Sequence, residues 1–236
     1  MRTAWRFGIS ALSALLLAPI AFGQQDYIGY YDVYTGYMYL HSPLIDLGES
    51  GFHTQIGINP TKWYSLGFDF SEGTGNTTLV PSMLKSSLQQ EIAGQLAPLK
   101  TAGWLPANYE PAVLAASKSQ TYATGPEINY RHFRSVTLFI HPDLGAIHEA
   151  VVATANDTIG KALVTQLAPS GTKADWTYFY GIGGGIDFNF TRHVGLRVHA
   201  DFVRDHLFSD LLNSRNSVRL SIGPTFHMGK NMAVQK

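Results

Sequence analysis

Charged and polar side chains alternate with apolar ones on both sides of a short turn near the C-terminus. Asp187 precedes the turn, and Arg197 and His199 follow it. A β-hairpin centred on Arg192 places Asp187 opposite Arg197, and Gly185 opposite His199. The glycine would make room for the longer side chain across from it. This spacing predicts a buried ion pair inside a β-structure, because an unpaired buried charge is costly.

The sequence contains nine histidines, which raises the question of a metal or hydrolytic site. They do not have a close ligand spacing such as His-Glu-x-x-His. We therefore expect these histidines to be polar residues of loops or of the protein interior, with no catalytic residue, metal or cofactor. This expectation applies to His132, His141, His148, His193, His199 and His227.

His41-Ser42 is compatible with the Ser/His/acid set of a lipid-modifying enzyme, but no acidic partner is identifiable. The glycine-rich segment 181–185 is excluded as a phosphate-binding loop, because the sequence continues as a strand instead of a helix. The sequence thus favours a protein that is not an enzyme.

The amino-acid composition and the net charge limit the classes of protein to which the chain can belong. The chain has 236 residues, no cysteine, 14% charged and 12% aromatic residues, and a formal net charge of zero. The charge balance does not indicate the basic face that a nucleic-acid partner needs, so we expect no such partner. The lack of cysteine excludes disulfides and thiolate metal sites. Few charges with many aromatics are typical of strands that face lipid.

The N-terminus has the pattern of an export signal. Arg2 and Arg6 precede an apolar stretch over 7–20, and small residues follow at Ala21 and Gly23. The apolar stretch is shorter than the roughly 20 residues of a membrane-spanning helix. We predict a cleaved signal peptide over residues 1–23 and one barrel domain over residues 24–236.

Period-two alternation predicts eight β-strands. It is clearest from Trp176 to Phe190, where apolar and aromatic residues oppose glycine and polar residues. The polar face is too ionic for the ligand cavity of a soluble lipocalin-like barrel, which is the alternative, so the apolar face is interpreted as lipid-facing. In lipid, such strands must close into a barrel. The predicted strands are 27–40, 52–59, 63–71, 122–130, 136–146, 176–190, 196–202 and 218–227.

The connections alternate between short and long. Short turns join strands two to three, four to five and six to seven, whereas 42–50, 72–120, 151–175 and 205–216 are long. Short periplasmic turns and longer extracellular loops are typical of outer-membrane barrels. The predicted fold is all-β, a closed antiparallel eight-stranded transmembrane up-and-down barrel.

An eight-stranded barrel has an interior only just filled by side chains. The predicted inward polar residues form either a permanent plug, which this filling favours, or a salt-bridge gate to a narrow pore. The predicted network consists of Asp69, Glu127, Arg131, Asp187, Arg197, His199, Asp201 and Arg219.

Three segments carry a resemblance to a known family. Segment 180–187 (YGIGGGID), the turn at 191–193 and segment 196–202 (LRVHADF) resemble the penultimate hairpin of OmpA/OmpX-like outer-membrane β-barrels. Segment 31–37 looks like their first strand. The pattern Ser221-x-Gly223-x-x-Phe226-x-Met228 is similar to their C-terminal assembly signal.

The resemblance implies a bacterial outer-membrane location, contact with outer-membrane lipid, and the barrel assembly machinery as a partner during biogenesis. The sequence departs from the family pattern in three ways. Met228 replaces the usual final aromatic residue and the chain runs on to Lys236, Pro224 interrupts the last strand, and no peptidoglycan-binding domain follows.

The long insertion over 72–120 has helical periodicity. Leu84, Leu88 and Ile92 recur at one-turn spacing after a start at Pro81, with a break expected at Ala97-Pro98. Ile159, Leu163 and Leu167 predict a second short helix. These loop helices form either a lid or partner surface, or a layer packed on the barrel rim.

The sequence therefore predicts a non-enzymatic outer-membrane barrel with a structural or surface-interaction role, its specificity in the loops. The alternatives are a narrow gated porin-like channel and a lipid-modifying enzyme.

Overall fold

The computed structural model describes residues 25–234 and shows a closed barrel of eight antiparallel strands, which confirms the predicted fold. Each strand pairs with its neighbours in sequence, and β8 pairs with β1 to close the barrel. The predicted signal peptide lies outside the described residues. The strands are β1 (Tyr31–Ser42), β2 (Leu47–Ile58), β3 (Tyr64–Leu79), β4 (Val113–Tyr130), β5 (Val136–Thr154), β6 (Thr172–Asn189), β7 (Val194–Asp205) and β8 (Arg215–Met228).

The two ends of the barrel differ. The short connections 59–63, 131–135 and 190–193 lie at one end, called here the turn end. The connections 43–46, 80–112, 155–171 and 206–214 lie at the other, the loop end. The first of these is shorter than the predicted 42–50, because Pro43–Ile45 form a 3₁₀ turn and Asp46 adopts a left-handed conformation with φ 47°.

Strand β1 begins at Tyr31, so the predicted start at residue 27 was wrong. The preceding segment runs across the turn end instead of pairing in the sheet. The Ile28 N–H donates to the Asn231 side chain at 3.0 Å, and the Ile28 carbonyl accepts from the Met232 N–H at 2.8 Å.

Strands β3 to β6 extend further toward the loop end than predicted. The predicted strands stop at an aromatic belt in which Phe52, Phe70, Tyr122 and Trp176 follow one another with ring centroids 5.1–6.1 Å apart. Belts of this kind mark membrane interfaces. Beyond it the sheet continues with polar outward side chains such as those of Glu72, Thr74, Asn76, Lys118 and Gln120. The apolar alternation used for prediction is lost there although the backbone pairing continues.

A folded layer covers the loop end. It consists of residues 80–112, 155–171 and 206–214, called here the cap, and contains the helices α1 (Ser86–Thr101) and α2 (Thr158–Leu167). Both predicted loop helices are thus present. Their apolar faces pack with the loop before β8 in one core, which includes Ile45, Leu47, Leu84, Ile92, Leu96, Leu163, Leu207, Phe208 and Leu212.

The predicted limits of α1 were wrong at both ends. Pro81–Met83 form a separate 3₁₀ turn, and α1 begins only at Ser86. The helix also continues through Pro98, which is exposed in its last turn, where water can bind the carbonyl group that proline leaves unpaired. Within residues 25–234, no helix combines the length and the apolar character needed to span a membrane.

Candidate functional site

The lumen is the candidate site, because alternation along all eight strands sends apolar side chains outward and polar ones inward. On the outer surface, Ile56, Phe68, Ile140, Leu144 and Ile182 are each more than half exposed. The inward polar side chains are buried and form a series of clusters from the turn end to the loop end.

At the turn end, Asp32 is the centre of the first cluster. Its carboxylate accepts from the Asn59 amide at 2.7 Å, lies 2.7 Å from the His227 ring and 3.6 Å from the Arg131 guanidinium. Arg131 also donates to the Asn59 side chain and to the Lys62 carbonyl. This cluster ties the turn between β2 and β3 to the turn between β4 and β5.

The second cluster surrounds Arg197, which is buried in the half of the lumen nearer the turn end. Its guanidinium donates twice to the Asp187 carboxylate, at 2.7 and 2.8 Å, and lies 3.7 Å from Glu127. It also donates to Gln55. The Phe139 ring covers it at 4.3 Å, in the geometry of a cation–π contact. Arg197 thus crosses the lumen from β7 to β2 and β4.

The third cluster lies at mid-height around Arg219. Its Nε donates to Asp201 at 2.6 Å, and its Nη1 lies 3.3 Å from the hydroxyls of Ser71 and Thr121. Three histidines complete this level. His53 contacts Asp69 at 3.0 Å, and the other two, His141 and His199, contact each other.

The fourth cluster lies toward the loop end. Arg215 bonds Glu149 at 2.6 Å and Asp205 at 3.2 Å. The Ser117 hydroxyl lies 2.8 Å from a Glu49 oxygen and 2.9 Å from a Glu149 oxygen, so one hydroxyl group bridges the two carboxyl groups. This cluster closes the lumen beneath the cap.

The residues of the predicted network occupy three of these clusters. Arg131 lies in the first, outside the strands. Glu127, Asp187 and Arg197 meet in the second, where Asp187 and Arg197 are also register partners. Asp69, His199, Asp201 and Arg219 lie in the third. The predicted residues are therefore divided among three clusters at different heights in the lumen and do not form one continuous network.

Sequence reasoning missed the fourth cluster. Glu49 lay in the predicted loop 42–50, Asp205 and Arg215 lay at the two ends of the predicted loop 205–216, and Glu149 lay beyond the predicted end of the fifth strand at residue 146. The sequence held one signal for this cluster: Asp205 and Arg215 are separated by even numbers of residues from Asp201, Ser217 and Arg219 and therefore share their inward face. The polar outward side chains in this region interrupt the apolar alternation and obscured that signal. Asp143 was also missed, although it continues the inward spacing of Phe139 and His141 on β5.

The structure separates His41 from Ser42. The two are neighbours on β1, so their side chains point to opposite faces of the strand. The Ser42 hydroxyl is buried in the lumen, 2.6 Å from that of Ser217. The pair does not form a Ser/His catalytic arrangement.

The residues of the predicted assembly signal all lie on β8. Phe226 and Met228 face outward, whereas Ser221 faces the lumen and bonds the His53 ring at 3.1 Å. Gly223 lies against the backbone of Thr35, which leaves no space for a side chain. Their reading by an assembly machinery stays a prediction.

The cap is anchored by polar contacts as well as by its core. The Asp157 side chain caps the first turn of α2 and also accepts from the Tyr109 hydroxyl at 3.0 Å. Partial burial, together with the bond to Asp157, raises the pKa of that hydroxyl group. Lys85 donates to the Ser209 carbonyl, which joins the segments before β4 and β8.

Comparison with known proteins identifies the fold. No protein-family model matches the sequence, and no curated protein matches it. Among solved structures, Neisserial surface protein A has a TM-score of 0.52 at 10% identity, over 84% of this chain and 96% of that one. OprG from Pseudomonas aeruginosa has a TM-score of 0.50 at 8% identity, over 88% and 99%. Ail of Yersinia pestis has a TM-score of 0.47 at 14% identity, over 84% and 99%.

Proposed function

We propose that this chain, which has the fold of the eight-stranded outer-membrane β-barrels, is a non-conducting and non-enzymatic barrel of the bacterial outer membrane that presents its cap at the cell surface. Its lipid-facing belt and the asymmetry of its connections support that orientation. The lumen is a structural plug in this proposal, and any specificity lies in the cap.

The observation that carries the proposal is the stacking of three arginine clusters along one lumen. Arg197, Arg219 and Arg215 are each buried and each bonded to carboxylates on other strands. A barrel of eight strands has room for side chains but not for a wide aqueous path beside them. The apolar core of the cap then covers the loop end.

A gated channel is the alternative, with the Asp187–Arg197 pair as the gate. The two functions predict different effects of Arg197→Ala. If the pair is a gate, the variant conducts ions. If the lumen is a plug, the variant stays closed, because Arg219 and Arg215 still block the path above it.

Planar-bilayer recording of the folded protein measures this difference. We expect no stepwise conductance from the wild type or from Arg197→Ala, with a general porin reconstituted in the same way as the positive control. A conductance increase in Arg197→Ala alone would show that the pair is a gate and would overturn the plug.

The surface role is supported by the part of the molecule beyond the aromatic belt. There the strands continue with polar outer faces, and the cap adds a compact layer with its own core. Trp104 lies in this layer and is 78% exposed, which is unusual for so large an apolar side chain. We assign the contact with a surface partner to the cap.

The non-enzymatic part of the proposal is supported by the separation of His41 and Ser42 and by the closed lumen. The arginines of the plug are bonded to its carboxylates, and the path to them is blocked at the loop end by the cap. They are placed to stabilise the barrel and not to meet a substrate.

A further inference from the structure

Three ligand-type atoms converge at mid-height in the lumen. His141 Nε2 lies 2.7 Å from His199 Nε2, and His199 Nε2 lies 2.7 Å from Asp201 Oδ1. The third distance, from His141 Nε2 to Asp201 Oδ1, is 3.6 Å. Atoms at these separations share a point about 2.0 Å from each of them, which is the bond length of Zn²⁺ to nitrogen and carboxylate oxygen.

The barrel topology produces this convergence. Gly183 on β6 is the register partner of both His141 on β5 and Asp201 on β7. Because Gly183 has no side chain, the two flanking residues meet across it, and a Cβ at that position would collide with the Asp201 carboxylate. His199 joins them because it lies two residues before Asp201, on the same face of β7.

Neighbouring groups orient two of the three ligands, His141 and Asp201. His141 Nδ1 bonds Asp143 Oδ1 at 2.9 Å, which places the ring proton on Nδ1 and leaves the Nε2 lone pair free for the site. The other oxygen of Asp201 accepts from Arg219 Nε at 2.6 Å, so Oδ1 is the one that remains for a ligand. A carboxylate behind a ligating histidine is the usual arrangement at protein metal sites.

The cluster has unsatisfied polar atoms and excess negative charge. Among the described residues, Asp143 Oδ2 and His199 Nδ1 are buried side-chain atoms without a hydrogen-bond partner. Asp201 Oδ1 lies 2.7 Å from His199 Nε2 and 3.6 Å from His141 Nε2, but neither contact has the geometry of a hydrogen bond. With neutral histidines, the carboxylates of Asp143 and Asp201 lie 4.0 and 2.6 Å from one guanidinium, that of Arg219, and Asp69 adds a third carboxylate at this level through its contact with His53. A divalent cation would balance that charge and use the free oxygen of Asp201.

We propose that His141, His199 and Asp201 bind one divalent transition-metal ion inside the lumen, with Zn²⁺ as the ion that suits two imidazoles and a carboxylate. The ion links β5 to β7 and has a structural role, because the site is buried on all sides. Since it needs the folded barrel, the ion is taken up as the protein folds.

The test is metal content after refolding. Tag-free protein is refolded from urea into detergent with Zn²⁺ or Co²⁺, desalted, and measured for bound metal per folded chain; the Co²⁺ form is also measured by visible absorption. We expect one ion per chain in the wild type, with a ligand-field band for Co²⁺, and loss of both in His141→Gln and in His199→Gln.

His227→Gln is the matched control, because His227 is also paired with a lumen carboxylate but lies at the turn end. It should keep the ion. In wild type and control, Zn²⁺ should also raise the temperature at which the folded form is lost relative to EDTA, and this shift should vanish in the two ligand variants. Wild-type protein without bound metal, or as much metal in His141→Gln and His199→Gln as in the wild type, would overturn the proposal. The contact between the two Nε2 atoms would then be a hydrogen bond between the histidines.

Discussion

Arg197 shows how a single buried residue can depend on several strands at once. Its guanidinium contacts Asp187 on β6, Glu127 on β4 and Gln55 on β2, and stacks against Phe139 on β5. A fully desolvated charge is stable only with such complete pairing. The residue therefore fixes the relative positions of five strands across the lumen.

At this scale we predict that Arg197→Met lowers the free energy of unfolding by roughly 3–5 kcal/mol, because two carboxylates lose their partner. Urea-induced unfolding in lipid vesicles, followed by tryptophan fluorescence, measures the change. Arg204→Met is the matched control on the same strand, since Arg204 is exposed and, among the described residues, its side chain donates a hydrogen bond to Ser214 alone. It should change the free energy by about 0.5 kcal/mol or less.

The double variant Arg197→Met with Asp187→Leu should recover part of the loss, because it removes one of the two unpaired carboxylates. Equal losses in Arg197→Met and Arg204→Met would show that the buried pair adds nothing beyond an exposed arginine.

At the scale of elements, the cap and the barrel use different interactions. The barrel closes through strand pairing and lumen polar bonds, whereas α1 and α2 are attached through apolar packing. The two kinds of structure meet where the sheet rises above the aromatic belt. Loosening the cap should leave the barrel intact.

Leu96→Ala tests this separation. Leu96 is buried on α1 in the core of the cap, and its truncation should cost the cap about 2–5 kcal/mol. We expect faster protease cleavage in residues 80–112 and unchanged mobility of the folded barrel in unheated gels. Gln95→Ala changes an exposed residue of the same helix and should cleave like the wild type. Loss of the folded band in Leu96→Ala would show that cap and barrel fold as one unit.

The sequence predicted those elements whose outer face meets lipid, and failed where the outer face is polar. Segments 72–79 and 113–120 pair over their whole length, but Glu72 and Lys118 interrupt the apolar alternation. The fourth cluster was hidden for that reason. His141 and His199 were also not predictable as neighbours, since their meeting depends on the register of β6 with both β5 and β7.

In the molecule as a whole, the two ends of the barrel are built differently. One end is closed by short turns tied together around Asp32, and the other carries the cap. Strands long enough to pass the aromatic belt lift the cap above the lipid. The orientation in the membrane thus decides which surface a partner can reach.

Single cysteines test this orientation cleanly, because the sequence contains no cysteine. Ala107→Cys is in the cap and Lys62→Cys is in the turn between β2 and β3; both side chains are exposed. A maleimide that does not cross the outer membrane should label Ala107→Cys on intact cells. It should label Lys62→Cys only after the outer membrane is permeabilised, since short turns face the periplasm. Wild-type cells give the background. Labelling of Lys62→Cys alone on intact cells would place the cap in the periplasm and remove its role at the surface, whereas the plug would be unaffected.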